Sequence, residues 1–521
     1  MALLLFWSLA GRASAQSAPE MLQKGIGALK AQDFQLAQRI FAKLVEQDPS
    51  GANIGYLGIA EFSAGNLEHA ITHFRQSLRL GNDSAALHYY LGRAYLERRE
   101  ESAGISELRL ALVKDPKLLA AQSSLGVALV NAGRPRDALP YLEQAHAQVP
   151  KDAEIWASLV RAEFEAGETK KALGSIGSAI DSIPDNPRLD ATLAFLCLHY
   201  RQAQKARQLL ENASELMPQD NTLKLLLAEA SIKADEPVEA LAVLKGVPEE
   251  AGSHGELSFL RGTAYLLAGK TQEASQYLSA ALAADAKNVA YLFAYAGLEG
   301  YQQLYPDALA TLRKARQLDA KSEGIPYQMA VTYALMHRYD EARQACEETL
   351  RLAAQRDDVY FLIGVIKLEE GDFRAAEESL RQAMDLNPGV ASFHTALGVA
   401  LFKATNLRES RRELERALTL DPQAASAYLW RARVLAREGQ LPKAVADYET
   451  YTTLFPDSAK AYQELEALYG QTGQTEKVAT VHAKSVALKA EKGEVSRESS
   501  LLDQLWMTRL REGLGQVVLG P

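Results

Sequence analysis

Cysteine is scarce in this chain, whose 521 residues contain only Cys197 and Cys346. Two cysteines so far apart in sequence exclude a disulfide framework, and they provide no paired spacing for a metal site. Free cysteine usually behaves as a small apolar residue and is buried. The sequence therefore predicts that both cysteines lie in the core.

Catalytic and cofactor motifs are missing as well. There is no G-x-S-x-G, no Walker loop, no H-E-x-x-H, and no G-x-G-x-x-G that opens a helix after a strand. His69 and His73 have the i, i+4 spacing that could supply two metal ligands, but no third ligand is near them in sequence. We therefore predict that the protein is not an enzyme and that it holds no cofactor or metal.

The chain also lacks a basic stripe and a long apolar run. Its formal net charge is −9, which disfavours a general nucleic-acid binder. Beyond the N-terminus no segment reaches the roughly 18 apolar residues that a transmembrane helix needs. The sequence predicts no nucleic-acid partner and no stable membrane insertion.

Residues 1–15 are typical of a signal peptide. An apolar run from Ala2 to Ala10 is too short to span a bilayer, and Ala13-Ser14-Ala15 gives an A-x-A cleavage signal. The segment before the apolar run has no Lys or Arg, so the front of a buried helix is the alternative. We expect export to the periplasm or the extracellular space, with a mature chain that begins at Gln16.

What the chain has in abundance is a repeat. After an initial step of 33 residues, one small-residue position recurs every 34 residues to the end of the pattern. A small side chain is needed where two helices cross closely. The recurring positions are Ala37, Ala70, Gly104, Ala138, Ala172, Ala206, Ala240, Ala274, Ala308, Ala342, Ala376, Ser410, Ala444 and Val478.

Glycine and proline recur in the same register. One set of glycines falls between the two helices of a unit, where a helix C-cap favours positive φ, and a second set falls inside the first helix, where close packing must compensate for low helix propensity. Prolines end the second helix. Examples of the three sets are Gly65 and Gly133, Gly92 and Gly126, and Pro49 and Pro150.

This pattern resembles the tetratricopeptide repeat (TPR) family. The family's first-helix motif is found as His88, Leu91, Gly92 and Tyr95, and its second-helix motif as Ala37 with Phe41, before a closing proline. The resemblance implies an all-α fold, a right-handed α-solenoid of about fourteen 34-residue helix–turn–helix repeats. It covers residues 18–492, and it implies that the first helices line the concave face.

Two parts of the chain depart from the repeat. In residues 221–254, Pro237 falls in the expected inter-helix turn and Val247-Pro248 is predicted to end the second helix early. Residues 493–521 are predicted to be a polar linker and a C-terminal capping helix over Ser500 to Leu514, which has an amphipathic pattern. A partner-docking tail is the alternative for that helix.

The resemblance places position 5 of each repeat on the concave surface. Aromatic residues at this position would form a ladder that binds a partner. Position 9 beside the ladder is largely apolar. The alternative is that the rings pack against the next helix and are buried. The residues concerned are Phe259, Phe293, Tyr327, Phe361 and Tyr89 at position 5, and Val331 and Val365 at position 9.

Arg93, Arg161 and Arg433 also occupy position 9. Some peptide-binding members of the family place polar residues there to grip a C-terminal carboxylate. The lysine that such a clamp uses at position 5 is absent from these three units, so we do not expect a clamp. The three arginines remain candidates for a partner-binding groove.

Taken together, these features predict an exported, non-enzymatic interaction scaffold of the bacterial cell envelope. The expected partner is a protein or peptide bound in the groove. The alternative is a polysaccharide-binding or export-guiding subunit in which the aromatic rings stack on sugars.

Overall fold

The structure, a computed structural model, describes residues 17–253 and 255–492. The predicted signal peptide, linker and capping helix lie outside these residues. The described residues form 28 α-helices and no strand, which confirms the all-α solenoid of fourteen helix pairs. They divide into two compact units after Pro218.

The first unit contains twelve helices in six pairs, in which an odd-numbered helix is followed by its even-numbered partner. Short turns join the two members of a pair. The bounds are α1 (Ala18–Lys30), α2 (Phe34–Gln47), α3 (Gly51–Ser63), α4 (Leu67–Arg79), α5 (Ala85–Glu97), α6 (Glu101–Lys114), α7 (Leu119–Asn131), α8 (Pro135–Gln148), α9 (Ala153–Glu165), α10 (Thr169–Ser182), α11 (Pro187–His199) and α12 (Ala203–Leu216).

The second unit continues the same alternation through eight more pairs. Its helices are α13 (Asn221–Lys233), α14 (Pro237–Leu244), α15 (Glu256–Leu267), α16 (Thr271–Ala284), α17 (Val289–Tyr301), α18 (Tyr305–Leu318), α19 (Gly324–Leu335), α20 (Tyr339–Leu352), α21 (Asp357–Glu370), α22 (Phe373–Leu386), α23 (Ala391–Lys403), α24 (Leu407–Leu420), α25 (Ala425–Arg437), α26 (Leu441–Leu454), α27 (Ala459–Gln471) and α28 (Thr475–Lys492).

The recurring small residue lies where the second helix of a pair meets the first. Every alanine at this position from Ala37 to Ala444 has a relative exposure of 0%, and so has Ser410. Val478, the one large residue in the series, is half-buried in α28. The prediction that the two helices cross closely here is therefore confirmed.

Glycine inside the first helix belongs to the same crossing. A Cβ added to Gly126 would lie 2.5 Å from Cγ of Leu142, and one added to Gly398 would lie 2.6 Å from Cγ of Leu414. These distances are too short for a real contact, so the glycines allow the helices to approach. Gly174, on the exposed side of α10, has no neighbour within 4 Å of an added Cβ.

We expect Gly126→Ala to destabilise the first unit by about 1–3 kcal/mol, because the added methyl overpacks the crossing with Leu142. Gly174→Ala is the matched control and should be neutral or stabilising by up to about 1 kcal/mol, since alanine has the higher helix propensity. Urea unfolding of the full chain, with hydrogen exchange of α7 to α10, measures both effects. The packing explanation fails if both variants shift stability in the same direction.

The turn inside each pair contains a residue in the left-handed region. The glycines predicted there have positive φ, for example 82° at Gly65 and 69° at Gly133. Seven other pairs place a non-glycine residue at the equivalent position, which the glycine pattern did not predict. These residues are Gln32, Arg99, Arg201, Asp235, Gln303, His337 and Thr405, with φ between 56° and 66°.

The seventh pair is the irregular one, as predicted. Its second helix, α14, is eight residues long and ends at Leu244, before Val247-Pro248. Pro237 is the first residue of α14 and does not lie in the turn, which corrects the sequence-based placement. Proline is tolerated at this position because the first helical N–H has no partner within the helix.

Candidate partner-binding surface

The predicted aromatic ladder is buried. Phe259, Phe293, Tyr327 and Phe361 have relative exposures of 3%, 3%, 6% and 1% and belong to one hydrophobic core cluster of the second unit. The ring centroid of Phe361 lies 4.7 Å from that of Phe393. Of the two alternatives for these rings, packing between helices is the one that the structure shows.

The physical reason is that the first helices of the second unit are covered on several sides. In α19, ten consecutive residues from Ile325 to Ala334 are buried, so all faces of this helix are covered. Val331 and Val365 are buried with them. The concave wall expected at these positions is therefore corrected to core, since its side chains are not accessible to a partner.

The remaining candidate at position 5, Tyr89, is half-buried and lies in the first unit. Its hydroxyl accepts a hydrogen bond from Nη1 of Arg93 at 3.2 Å, and its ring packs edge-on against Tyr90 at a centroid distance of 5.1 Å. Tyr89 thus contributes to a surface cluster and is not part of a continuous ladder.

Each of the three candidate arginines is paired with a glutamate of the chain. Arg93 pairs with Glu97 at 3.3 Å, and Arg161 pairs with Glu165 at 2.9 Å. Arg433 is the most buried, with 11% side-chain exposure, and it donates two hydrogen bonds to the Glu464 carboxylate, at 3.0 and 2.9 Å. Because their charges are neutralised internally, these arginines do not form a free carboxylate clamp.

Two of the arginines lie in the same kind of cluster. In what we name the first cluster, Arg93 lies over the ring of Phe62 at 5.8 Å, and Phe62 packs edge-on against Tyr90 at 6.0 Å. Phe62 lies near the C-terminus of α3, and Tyr90 and Arg93 belong to α5. The cluster therefore joins the first helices of consecutive pairs.

The second cluster, in the second unit, has a similar edge-on ring pair, and its arginine lies over the other ring of that pair. Phe402 packs edge-on against Trp430 at 5.5 Å, and Arg433 lies over the Trp430 ring at 4.6 Å. Lys403 and Arg437 extend it: the Lys403 ammonium lies 5.6 Å from the centroid of Trp430, and the Arg437 guanidinium lies 4.1 Å from that of Phe402. Sequence reasoning identified Arg433 and missed the other four residues.

A hydrogen-bond network that includes the buried Tyr448 fixes the arginine of the second cluster. The Tyr448 hydroxyl donates to Oε2 of Glu464 at 2.5 Å, and Glu464 also accepts the bonds from Arg433. Burial and the bond to this carboxylate raise the pKa of Tyr448, so the phenol stays protonated. A protonated Tyr448 keeps donating to Glu464, which holds Arg433 and therefore the Trp430 ring in place.

The thiols and the histidine that could act in catalysis or metal binding are buried or bonded to other side chains. Cys197 and Cys346 are fully buried, which confirms the prediction, and burial raises the pKa of each thiol to about 12. His73 is bonded to Glu61 at 2.6 Å. Among the described residues no group of three His, Cys, Asp or Glu could hold a metal ion, and no helix there is long and apolar enough to cross a membrane.

Comparisons with known proteins point to one family. Models described as tetratricopeptide repeat match residues 56–118, 129–196, 198–258, 357–389 and 395–459, together more than half of the chain. None of the curated proteins compared with the chain matches it. Among solved structures, a chain in the crystal structure of the APC/C hetero-tetramer Cut9-Hcn1 is similar, with 14% identity, a TM-score of 0.47, and coverage of 94% of this chain and 97% of that chain.

Proposed function

Because the chain belongs to the tetratricopeptide repeat family, we propose that it is a non-enzymatic scaffold that binds a partner protein or peptide through the first helices of its pairs. Stacked repeats of this kind present extended surfaces, and binding is the usual use of such surfaces. The observation that carries the proposal is the second cluster, where the half-buried Trp430 ring lies beside two exposed cations, Lys403 and Arg437. Aromatic and arginine side chains are the groups that most often anchor protein interfaces.

The proposed setting is the bacterial cell envelope. Support comes from the apolar run and A-x-A signal of residues 1–15, which favour export and a mature chain from Gln16. The N-terminal residue of the protein purified from its native host tests this part. A mature N-terminus at Gln16 supports export, and an intact Met1 contradicts it.

Crosslinking in the native host, followed by mass spectrometry of the proteins captured on the full mature chain, tests the scaffold function. We expect a small, reproducible set of envelope proteins. Recovery of glycans alone would contradict protein binding, and recovery of cytoplasmic proteins alone would contradict the envelope setting. A chain with charges reversed on an exposed helix face away from the clusters, such as Arg374→Glu, controls for nonspecific capture.

The polysaccharide alternative loses its main support. It depended on aromatic rings in register along an open groove, and Phe259, Phe293, Tyr327 and Phe361 are buried. Buried rings cannot stack on a sugar, so these four rings no longer support the polysaccharide alternative.

A further inference from the structure

The second cluster carries two cations that the chain does not neutralise. Lys403 and Arg437 are exposed, and each is the last residue of its helix, where the helix dipole favours a positive charge. Among the described residues no carboxylate lies within ion-pair distance of either. The basic side chains therefore have only the rings of Trp430 and Phe402 as close partners.

Nearby acidic groups are already engaged with other cations. Glu464 receives the bidentate bonds of Arg433, and Glu438 lies 3.2 Å from Nη1 of Arg411. Asp447 accepts two bonds from Arg431, both at 2.7 Å. Lys403 and Arg437 thus keep cationic side chains that these carboxylates do not pair with, although the chain as a whole is acidic.

The first cluster has the corresponding rings and arginine without the two additional cations. It has Phe62, Tyr90 and Arg93 ten 34-residue repeats before Phe402, Trp430 and Arg433, and its rings form the same kind of edge-on pair. Arg93 lies over Phe62, whereas Arg433 lies over Trp430. At the two remaining positions the first cluster has Ser63 and Glu97, and Glu97 neutralises its arginine. The equivalent positions of the second cluster are Lys403 and Arg437.

We propose that the second cluster binds an acidic segment of the partner protein in which carboxylates flank an apolar side chain. The carboxylates would pair with Lys403 and Arg437, and the apolar side chain would pack on the half-buried Trp430 ring. Stacking on Phe402 restricts the Arg437 guanidinium before binding, which lowers the entropy lost on association. This inference rests on the proposed scaffold function and names the chemistry of its partner.

Fluorescence anisotropy of the full chain with a labelled synthetic peptide, in which glutamates flank one leucine, tests the proposal. We expect Lys403→Gln combined with Arg437→Gln to weaken binding about tenfold, in line with the loss of two surface charge pairs. Arg374→Gln with Lys170→Gln is the matched control: it removes the same net charge from exposed positions outside the cluster and should leave affinity within about twofold. Higher ionic strength should weaken binding to the unsubstituted chain.

Two further peptides separate the charged and apolar contributions. A peptide with glutamine in place of every glutamate should bind the unsubstituted chain and the double variant with equal affinity. Serine in place of leucine should weaken binding to both. Equal binding of the serine peptide would overturn the proposal in favour of general attraction to polyanions, as would equally tight binding of heparin or of vesicles with anionic lipids.

The double variant also distinguishes this inference from the scaffold function itself. If the native host still yields its envelope partners with the double variant at unchanged efficiency, the second cluster is not the acidic-segment site although the scaffold function stands. If the unsubstituted chain captures no protein, the scaffold function fails. If the unsubstituted chain captures its partners and the double variant does not, the result supports the scaffold function and the acidic-segment site.

Discussion

Replacing both Phe293 and Tyr327 with alanine is expected to destabilise the second unit strongly. Both side chains belong to its central hydrophobic cluster and are almost completely buried. Truncation of a buried aromatic residue typically costs about 3–5 kcal/mol, because apolar contacts are lost and a cavity is left. The midpoint of thermal unfolding, followed by circular dichroism, should fall by far more than for a surface change.

Phe195→Ala is the control for this experiment. Phe195 is also aromatic and lies on a first helix, α11, but 59% of its surface is exposed. Its truncation should leave the midpoint nearly unchanged. If the double variant of Phe293 and Tyr327 kept its unfolding midpoint and lost only partner capture, the rings would be accessible binding residues and their buried placement would be wrong.

The second large effect concerns an ion pair at the start of α21. Arg356 donates from Nε to Oδ1 of Asp358 at 2.8 Å and from Nη2 to Oδ2 at 2.5 Å. The two side chains are only 12% and 10% exposed. We expect Arg356→Ala to destabilise the second unit by about 3–5 kcal/mol, because it leaves the Asp358 carboxylate buried without its cation.

The free energy of unfolding in urea measures this effect, and two comparisons sharpen it. Arg374→Ala removes an arginine that is 92% exposed and 3.8 Å from Glu378, so it should cause no measurable loss. Replacing Arg356 and Asp358 together with apolar residues of similar volume should recover most of the lost stability. An equal loss in the Arg374 and Arg356 variants would show that the buried pair has no special role.

The repeat register predicted the fold because it reports a steric requirement that every pair shares. Ala138 and Gly126 are small for the same reason in each unit, namely that two helix backbones approach closely there. Position in the register made Arg433 a candidate for the groove, and the structure places its side chain mostly buried, at 11% exposure, against Glu464. The register could not predict whether Phe361 is covered, because coverage depends on how closely successive first helices pack.

The second cluster could have been found in the sequence by a comparison that spans more than adjacent repeats. Its phenylalanine, aromatic residue and arginine stand ten repeats after those of the first cluster. The sequence pattern does not show which charged side chains are paired with each other. Only the structure shows that Glu464 is taken by Arg433 and that Arg437 lies over Phe402.

The alternation of helices has a consequence for how the chain folds. Within each compact unit, the helices in substantial contact are neighbours or next neighbours in sequence. Chains dominated by such local contacts close short loops first and fold quickly. The first pairs can therefore acquire their native packing while later pairs are still being synthesised. A ribosome-bound fragment that ends after α4 already contains every described helix in substantial contact with α1 and α2.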